Sequence, residues 1–332
     1  MKKVQWGVLS TAKIGLKQVI PAMQRSQWCD VHAIASRTMA NARDAADKLH
    51  IPQAYGSYEE LIADPAIEAI YNPLPNDMHV HWTLAAARAG KHVLCEKPFA
   101  MNANEAAALR EVQGKVHIME AFMVRFHPQW LRARELVRLG QLGELRSIQA
   151  YFSYFNRDAN NIRNRPQTGG GALYDIGCYA VVAGRFFFES EPLRVMALID
   201  HDPDFHTDRM ATVIADFGAG RRLDFTVSTQ STPYQRLHLV GTMQRLEIEV
   251  PFNAGQGEAM RIVLDDGKAH AGKSAQFEVM PQADQYTLQC DAFAQAIRGA
   301  IALPYGLDDA ICNMKVIDAM LASGASGQWR SV

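Results

Sequence analysis

Apolar positions in the first third of the chain fall in short runs, at 4–9, 31–35, 69–71, 93–95 and 116–119. Runs of that length, bounded by turn residues, read as buried strands. Stretches rich in Ala, Leu, Arg and Glu lie between them, at 40–49, 58–63, 80–89 and 103–113, and predict helices. Strand and helix alternating in this way imply a doubly wound parallel sheet with right-handed crossovers. Past residue 145 the rhythm changes. Strand-like runs at 145–155, 193–200, 211–217, 222–229, 235–240, 245–250 and 261–264 follow one another through turns such as Phe217-Gly218-Ala219-Gly220 and Asp265-Asp266-Gly267. Short turns between strands suit antiparallel pairing. Helical patterns at 128–139, 285–298 and 308–322 complete the chain.

The expected fold is α/β: an N-terminal Rossmann domain over residues 1–122, then an α+β domain over 123–332 with a large open, mostly antiparallel sheet. A chain of 332 residues is long enough for two such domains. Hydrophobic residues at 48% supply a full core, and a formal net charge of −1 offers no basic field for nucleic acid or anionic lipid. The N-terminal Met1-Lys2-Lys3 runs straight into an apolar strand, so no signal peptide is expected. No apolar run approaches membrane-spanning length. Five scattered cysteines without a C-x-x-C pair argue against a disulfide framework or zinc knuckle, and for a reducing, cytoplasmic setting.

The segment Cys95-Glu96-Lys97-Pro98 places a lysine directly after a buried strand, at the sheet edge where open α/β folds bind ligands. The following proline keeps Lys97 out of the α region, which fixes it at a kink. After the first strand, the dinucleotide fingerprint positions read Ser10, Ala12 and Gly15 within Ser10-Thr11-Ala12-Lys13-Ile14-Gly15. Small residues there still let a pyrophosphate approach the backbone, although two of three glycines are missing. The second strand ends Ser36-Arg37, where an NAD site carries an acid for the ribose hydroxyl. A hydroxyl and a guanidinium suit a 2′-phosphate, which favours NADP over NAD. After the third strand, Asn72-Pro73-Leu74-Pro75-Asn76-Asp77-Met78-His79 forms a stiff loop at the same edge, with Asn76 also a possible helix cap. His79 and His81 are two apart on a helix and diverge, so they do not make a metal pair.

In the second domain, Gly169-Gly170-Gly171 opens an apolar helical run carrying Asp175 and Tyr179, four apart and on one face. A lysine ammonium beside Tyr179 would favour its phenolate and make it a usable proton acceptor. The loop from Asp200 to Asp208 is rich in acids and histidines but reads as a solvated turn, and no metal is expected.

Together, Ser10–Gly15, Leu74–His79, Cys95–Pro98 and Gly169–Tyr179 resemble the glucose–fructose oxidoreductase / inositol dehydrogenase family across the whole chain. The resemblance implies a catalytic set of Lys97, Asp175 and Tyr179. It implies cofactor contacts at Ser10, Thr11, Ala12, Lys13, Ile14, Ser36, Arg37, Leu74, Asn76, His79, Glu96, Lys97 and Arg163, with Arg125 at the floor of the substrate site. Tyrosine at 179 is similar to the branch holding xylose dehydrogenase and dimeric dihydrodiol dehydrogenase. The implied activity moves a hydride between a sugar or cyclic diol and NADP, with a homo-oligomer, dimer or tetramer, as the assembly. Reduction of a dicarbonyl or anhydro sugar, and a non-catalytic NADP(H)-binding regulator, are the alternatives.

Overall fold

In the computed structural model, which describes residues 2–332, the N-terminal strands are β1 (Val4–Leu9), β2 (Cys29–Ala35), β3 (Gln53–Tyr55), β4 (Ala69–Asn72), β5 (His92–Cys95) and β6 (Ile118–Glu120). They pair in parallel in the order β3-β2-β1-β4-β5-β6. The central strands are apolar because both faces are covered: Val8, Leu9, Ile34, Ile70, Val93 and Leu94 are fully buried. The helices between them are α1 (Ile20–Arg25), α2 (Met39–Leu49), α3 (Tyr58–Ala63), α4 (Asn76–Arg88) and α5 (Ala103–Ala107). Strand order reverses between β1 and β4, so a crevice opens at their carboxyl ends.

Three details differ from the pattern reading. The short edge strand β3 has no buried residue and leaves no apolar run. The stretch 103–113 divides into α5 and a 3₁₀ turn, Ala108–Val112. Helix α4 starts at Asn76, four residues earlier than its apolar pattern, because its first turn is polar. Pro75 therefore occupies the cap and Asn76 is already helical, so the cap reading of Asn76 does not hold.

The second sheet comprises β7 (Leu145–Phe155), β8 (Arg194–His201), β9 (Asp208–Asp216), β10 (Arg222–Ser228), β11 (Gln230–Gly241), β12 (Arg245–Ile248), β13 (Arg261–Asp265), β14 (Gln276–Val279) and β15 (Arg330–Ser331). Its order is β14-β13-β12-β11-β7-β10-β9-β8-β15, antiparallel except where β7 meets β10. Alternation along β8, β9 and β10 buries Val195, Val213, Phe225 and Val227 on one face. The other face leaves Leu198, Met210 and Ile214 exposed. Helices α6 (Pro128–Arg138) and α7 (Cys178–Phe188) belong to the same unit, where Trp130 packs among Phe186, Phe187 and Phe252. Helix α7 has only Arg185 outside the buried set, which explains its unbroken apolar run.

Two compact units result: Met1–Met123 with Asp284–Met314, and Val124–Ala283 with Lys315–Val332. The first thus includes α8 (Gln285–Ile297) and the start of α9 (Leu307–Ser326), a segment that a division at residue 122 places with the second. No helix among the described residues is long and apolar enough to cross a membrane.

Candidate active site

The first turn keeps its shape without the fingerprint glycine. Ser10 leaves β1 with φ of +73°, a region that glycine enters most easily. Its amide donates to the Ala35 carbonyl at 2.9 Å, and its hydroxyl accepts the Ala12 N–H at 3.3 Å. A local side-chain bond thus supports a conformation that a side chain otherwise disfavours. Thr11, Ala12 and Ile14 are half-buried and Lys13 is exposed. At the end of β2, Ser36 is buried and Arg37 is exposed. A small-residue turn entering a helix, with no acid at the end of β2, fits a dinucleotide carrying a 2′-phosphate.

Beyond β4 the backbone is held by buried side chains. Asn72 donates to the His79 carbonyl (3.1 Å) and Thr83 Oγ1 (3.2 Å), and its Oδ1 accepts the Leu74 N–H (3.3 Å). His79 is 1% exposed, with Nδ1 2.8 Å from the Pro98 carbonyl and Nε2 2.7 Å from the Leu74 carbonyl. Burial pushes its pKa down to about 4, and the Lys97 charge adds to that against the pull of both carbonyls. At neutral pH the ring therefore carries one N–H. The Tyr71 hydroxyl donates to Glu96 Oε1 at 2.7 Å, and burial holds Tyr71 well above the usual phenol range, so it stays a donor. Past the cis Lys97-Pro98 bond, the Phe99 N–H donates to the buried Glu120 carboxylate at 2.9 Å. Of the residues expected at the cofactor, Glu96, Lys97 and Asn76 are half-buried and Leu74 is buried.

In the second unit Asp175 stands in a π-helical turn, Leu173–Gly177, that leads into α7. Such wide turns recur at functional sites. Its carboxylate accepts the Tyr154 hydroxyl at 2.6 Å and pairs with Arg163 Nε at 3.0 Å. Burial, then the Asp175 charge, raises Tyr154 far above its ordinary value, so it remains a proton donor to Asp175. Tyr179 is 5% exposed, with its ring against Phe152 and Phe252. Arg125 is 2% exposed in the turn Met123–Phe126.

The glycine run is explained by what approaches it. A Cβ on Gly171, whose φ is +119°, would lie 1.7 Å from Asp208 Oδ1. A Cβ on Gly170 would lie 2.5 Å from the Arg163 carbonyl. The glycines therefore seat Asp208 and the Arg163 backbone against the start of the Asp175 helix. Asp208 accepts the Leu173 N–H at 2.7 Å, yet burial raises its pKa to about 7, with Asp175 adding repulsion.

Sequence reasoning missed Tyr154, Asp208, Asn72 and Tyr71. Tyr154 lies inside a long strand with no punctuation. The reading of 200–208 as a solvated turn is corrected in part: Asp200, His201, Pro203, Asp204 and His206 are exposed, whereas Asp202, Thr207 and Asp208 are buried. Asp202 accepts Gln230 Nε2 (2.7 Å) and the N–H groups of Asp204 (2.8 Å) and Phe205 (2.9 Å). Its partners are within the fold, not solvent. Among the described residues no group of three or more His, Cys, Asp and Glu is placed to hold a metal. A cavity of about 460 Å³, lined by His92, Lys115, His117 and Asp308, lies at the amino ends of β5 and β6, away from the loops just described.

A parallel sheet in this order is a dinucleotide-binding architecture, joined here in one chain to a large, mostly antiparallel sheet. Comparison with known proteins identifies the particular family. Residues 4–121 match the oxidoreductase family with NAD-binding Rossmann fold, and residues 130–247 match the GFO/IDH/MocA C-terminal domain. The chain belongs to the GFO/IDH/MocA oxidoreductase family. It is 40% identical over 330 residues to D-xylose 1-dehydrogenase (NADP(+)) 2 of Haloferax volcanii, covering 98% of each chain. It is 32% identical to the mouse trans-1,2-dihydrobenzene-1,2-diol dehydrogenase over 253 residues, 74% of each. Its fold matches that of KijD10, a 3-ketoreductase from Actinomadura kijaniata solved with NADP and TDP-benzene. The TM-score is 0.90 at 26% identity, over 97% of this chain and 98% of that one.

Proposed function

We propose that this enzyme is an NADP-dependent dehydrogenase of a sugar or cyclic diol, with Tyr179 as acid/base, Lys97 as its electrostatic partner and Asp175 as the substrate-orienting group. NADP, held by the Ser10–Ile14 turn, Ser36 and Arg37, supplies the acceptor for hydride from the substrate's CH–OH carbon. Tyr179 takes the hydroxyl proton as the C–O bond becomes a carbonyl. Lys97 favours the phenolate that does so and stabilises charge developing on the substrate oxygen. Asp175, fixed by Tyr154 and Arg163, accepts a neighbouring substrate hydroxyl. In reverse, Tyr179 protonates the carbonyl oxygen. The observation that carries this reading is Asp175 held in one orientation by Tyr154 and Arg163, four residues before Tyr179.

The test is NADPH absorbance with a panel of pentoses, hexoses and trans-diols. Turnover of an aldopentose is expected from the D-xylose dehydrogenase at 40% identity. NADP⁺ binding with no turnover on any panel member contradicts it and favours a regulator. The KijD10 fold match supports a second reading, reduction of a keto-sugar, which the same panel run with NADPH and ketoses distinguishes. For the cofactor, Arg37→Ala is expected to lower the NADP⁺ over NAD⁺ preference by about tenfold through loss of a charge-assisted contact. Unchanged discrimination in paired kcat/KM measurements removes Arg37 from that role.

A further inference from the structure

The loop after β4 and the turn carrying Lys97 meet at the His79 ring. We propose that His79 is a positioning residue: its imidazole, seated between the Leu74 and Pro98 carbonyls with its one N–H on one of them, fixes the peptide beside Lys97 and makes no contact with the cofactor. This deepens the reading above and rests on Lys97 taking part in turnover.

Both ring nitrogens face into the fold, 2.8 Å from the Pro98 carbonyl and 2.7 Å from the Leu74 carbonyl, and the neutral ring donates its single N–H to one of the two. With the ring 1% exposed, nothing polar is left to offer a nucleotide. Proline has no N–H, so the carbonyl is the only backbone group by which Pro98 can be held. The neighbouring residue is secured separately, through the Phe99 N–H on Glu120. Leu74 is bounded at both ends, its N–H bonded to Asn72 and its carbonyl against the His79 ring. Asn72 also bonds the His79 carbonyl, which closes a network of β4, the first turn of α4 and the turn after β5. Burial keeps the ring neutral near pH 7, so it adds no second cation beside Lys97.

The test compares His79→Phe, which keeps a ring and loses both nitrogens, with His79→Asn, which keeps a donor. Hydrogen exchange of the unliganded protein is read over 72–76 and 96–100, alongside kcat and NADP⁺ affinity. In His79→Phe, exchange at the Leu74, Lys97 and Phe99 amides is expected to rise together. kcat should fall about tenfold or more, with NADP⁺ affinity changed less than about threefold. His79→Asn should fall between that variant and wild type, and it carries the same readouts if His79→Phe does not fold. Unchanged exchange in both variants overturns the proposal. So does a loss of NADP⁺ affinity above about tenfold with kcat retained, which would make His79 a cofactor ligand. Exchange needs no turnover: if Lys97→Met stays active while exchange rises, the clamp stands and only the role of Lys97 falls.

Discussion

Around Lys97 the buried polar side chains face mainly backbone: Asn72 and His79 the carbonyls and amides of their loops, Glu120 the Phe99 N–H. Around Asp175 they bond mainly to one another, as Tyr154 and Arg163 converge on one carboxylate. The first arrangement fixes where a chain segment runs, and the charge it presents comes from the residue at its tip. The second fixes the orientation of a single carboxylate, so its chemistry responds to loss of one hydroxyl. The proposed mechanism needs a fixed cation and an oriented carboxylate, and each arrangement suits one of them.

The largest effects should come from removing the two groups assigned to chemistry. Lys97→Met and Tyr179→Phe are each expected to lower kcat by about 10²–10⁴ with little change in NADP⁺ affinity. Stopped-flow absorbance with cofactor titration checks this, and near-normal turnover in either variant removes that residue from the mechanism.

A smaller effect sharpens the contrast. Tyr154→Phe deletes one donor to Asp175 but no charge, and is expected to reduce kcat/KM by about tenfold, the scale of one hydrogen bond to a charged group. A drop as large as that of Tyr179→Phe would place Tyr154 in the proton transfer itself.

The smallest effect concerns Asp208, whose pKa rises from the ordinary 3.8 to about 7 because burial penalises its charge. A carboxyl raised on folding contributes stability that is fully present below about pH 4 and is lost as pH rises through about 7. Asp208→Asn stays neutral while still offering an acceptor to the Leu173 N–H. Its melting temperature relative to wild type should therefore rise between pH 4 and 7 and level off above. Parallel curves across that window exclude ionisation of Asp208 as the cause.

Much of this was legible beforehand because it leaves one-dimensional traces. Strand β5 followed by Lys97-Pro98, and the glycine run before Asp175, are local signals. The parallel order of the first sheet follows from alternating strand and helix. Tyr154 and Asp208 were not legible, since each acts across 21 and 35 residues of sequence on a helix it does not belong to. His79 was legible as a residue of the site, but what its two nitrogens face depends on a carbonyl 19 residues away. Strand β3 and the early start of α4 escaped because exposed or polar residues carry no apolar period.

The central claim is that Lys97 acts through Tyr179, and a double-mutant cycle on kcat tests it most directly. With the sugar that gives the highest turnover, Lys97→Met, Tyr179→Phe and the double variant are compared with wild type. If the lysine serves to make Tyr179 a proton acceptor, the double variant should be no slower than the slower single variant by more than about threefold. If the two losses multiply in the double variant, the residues act independently and the account is contradicted.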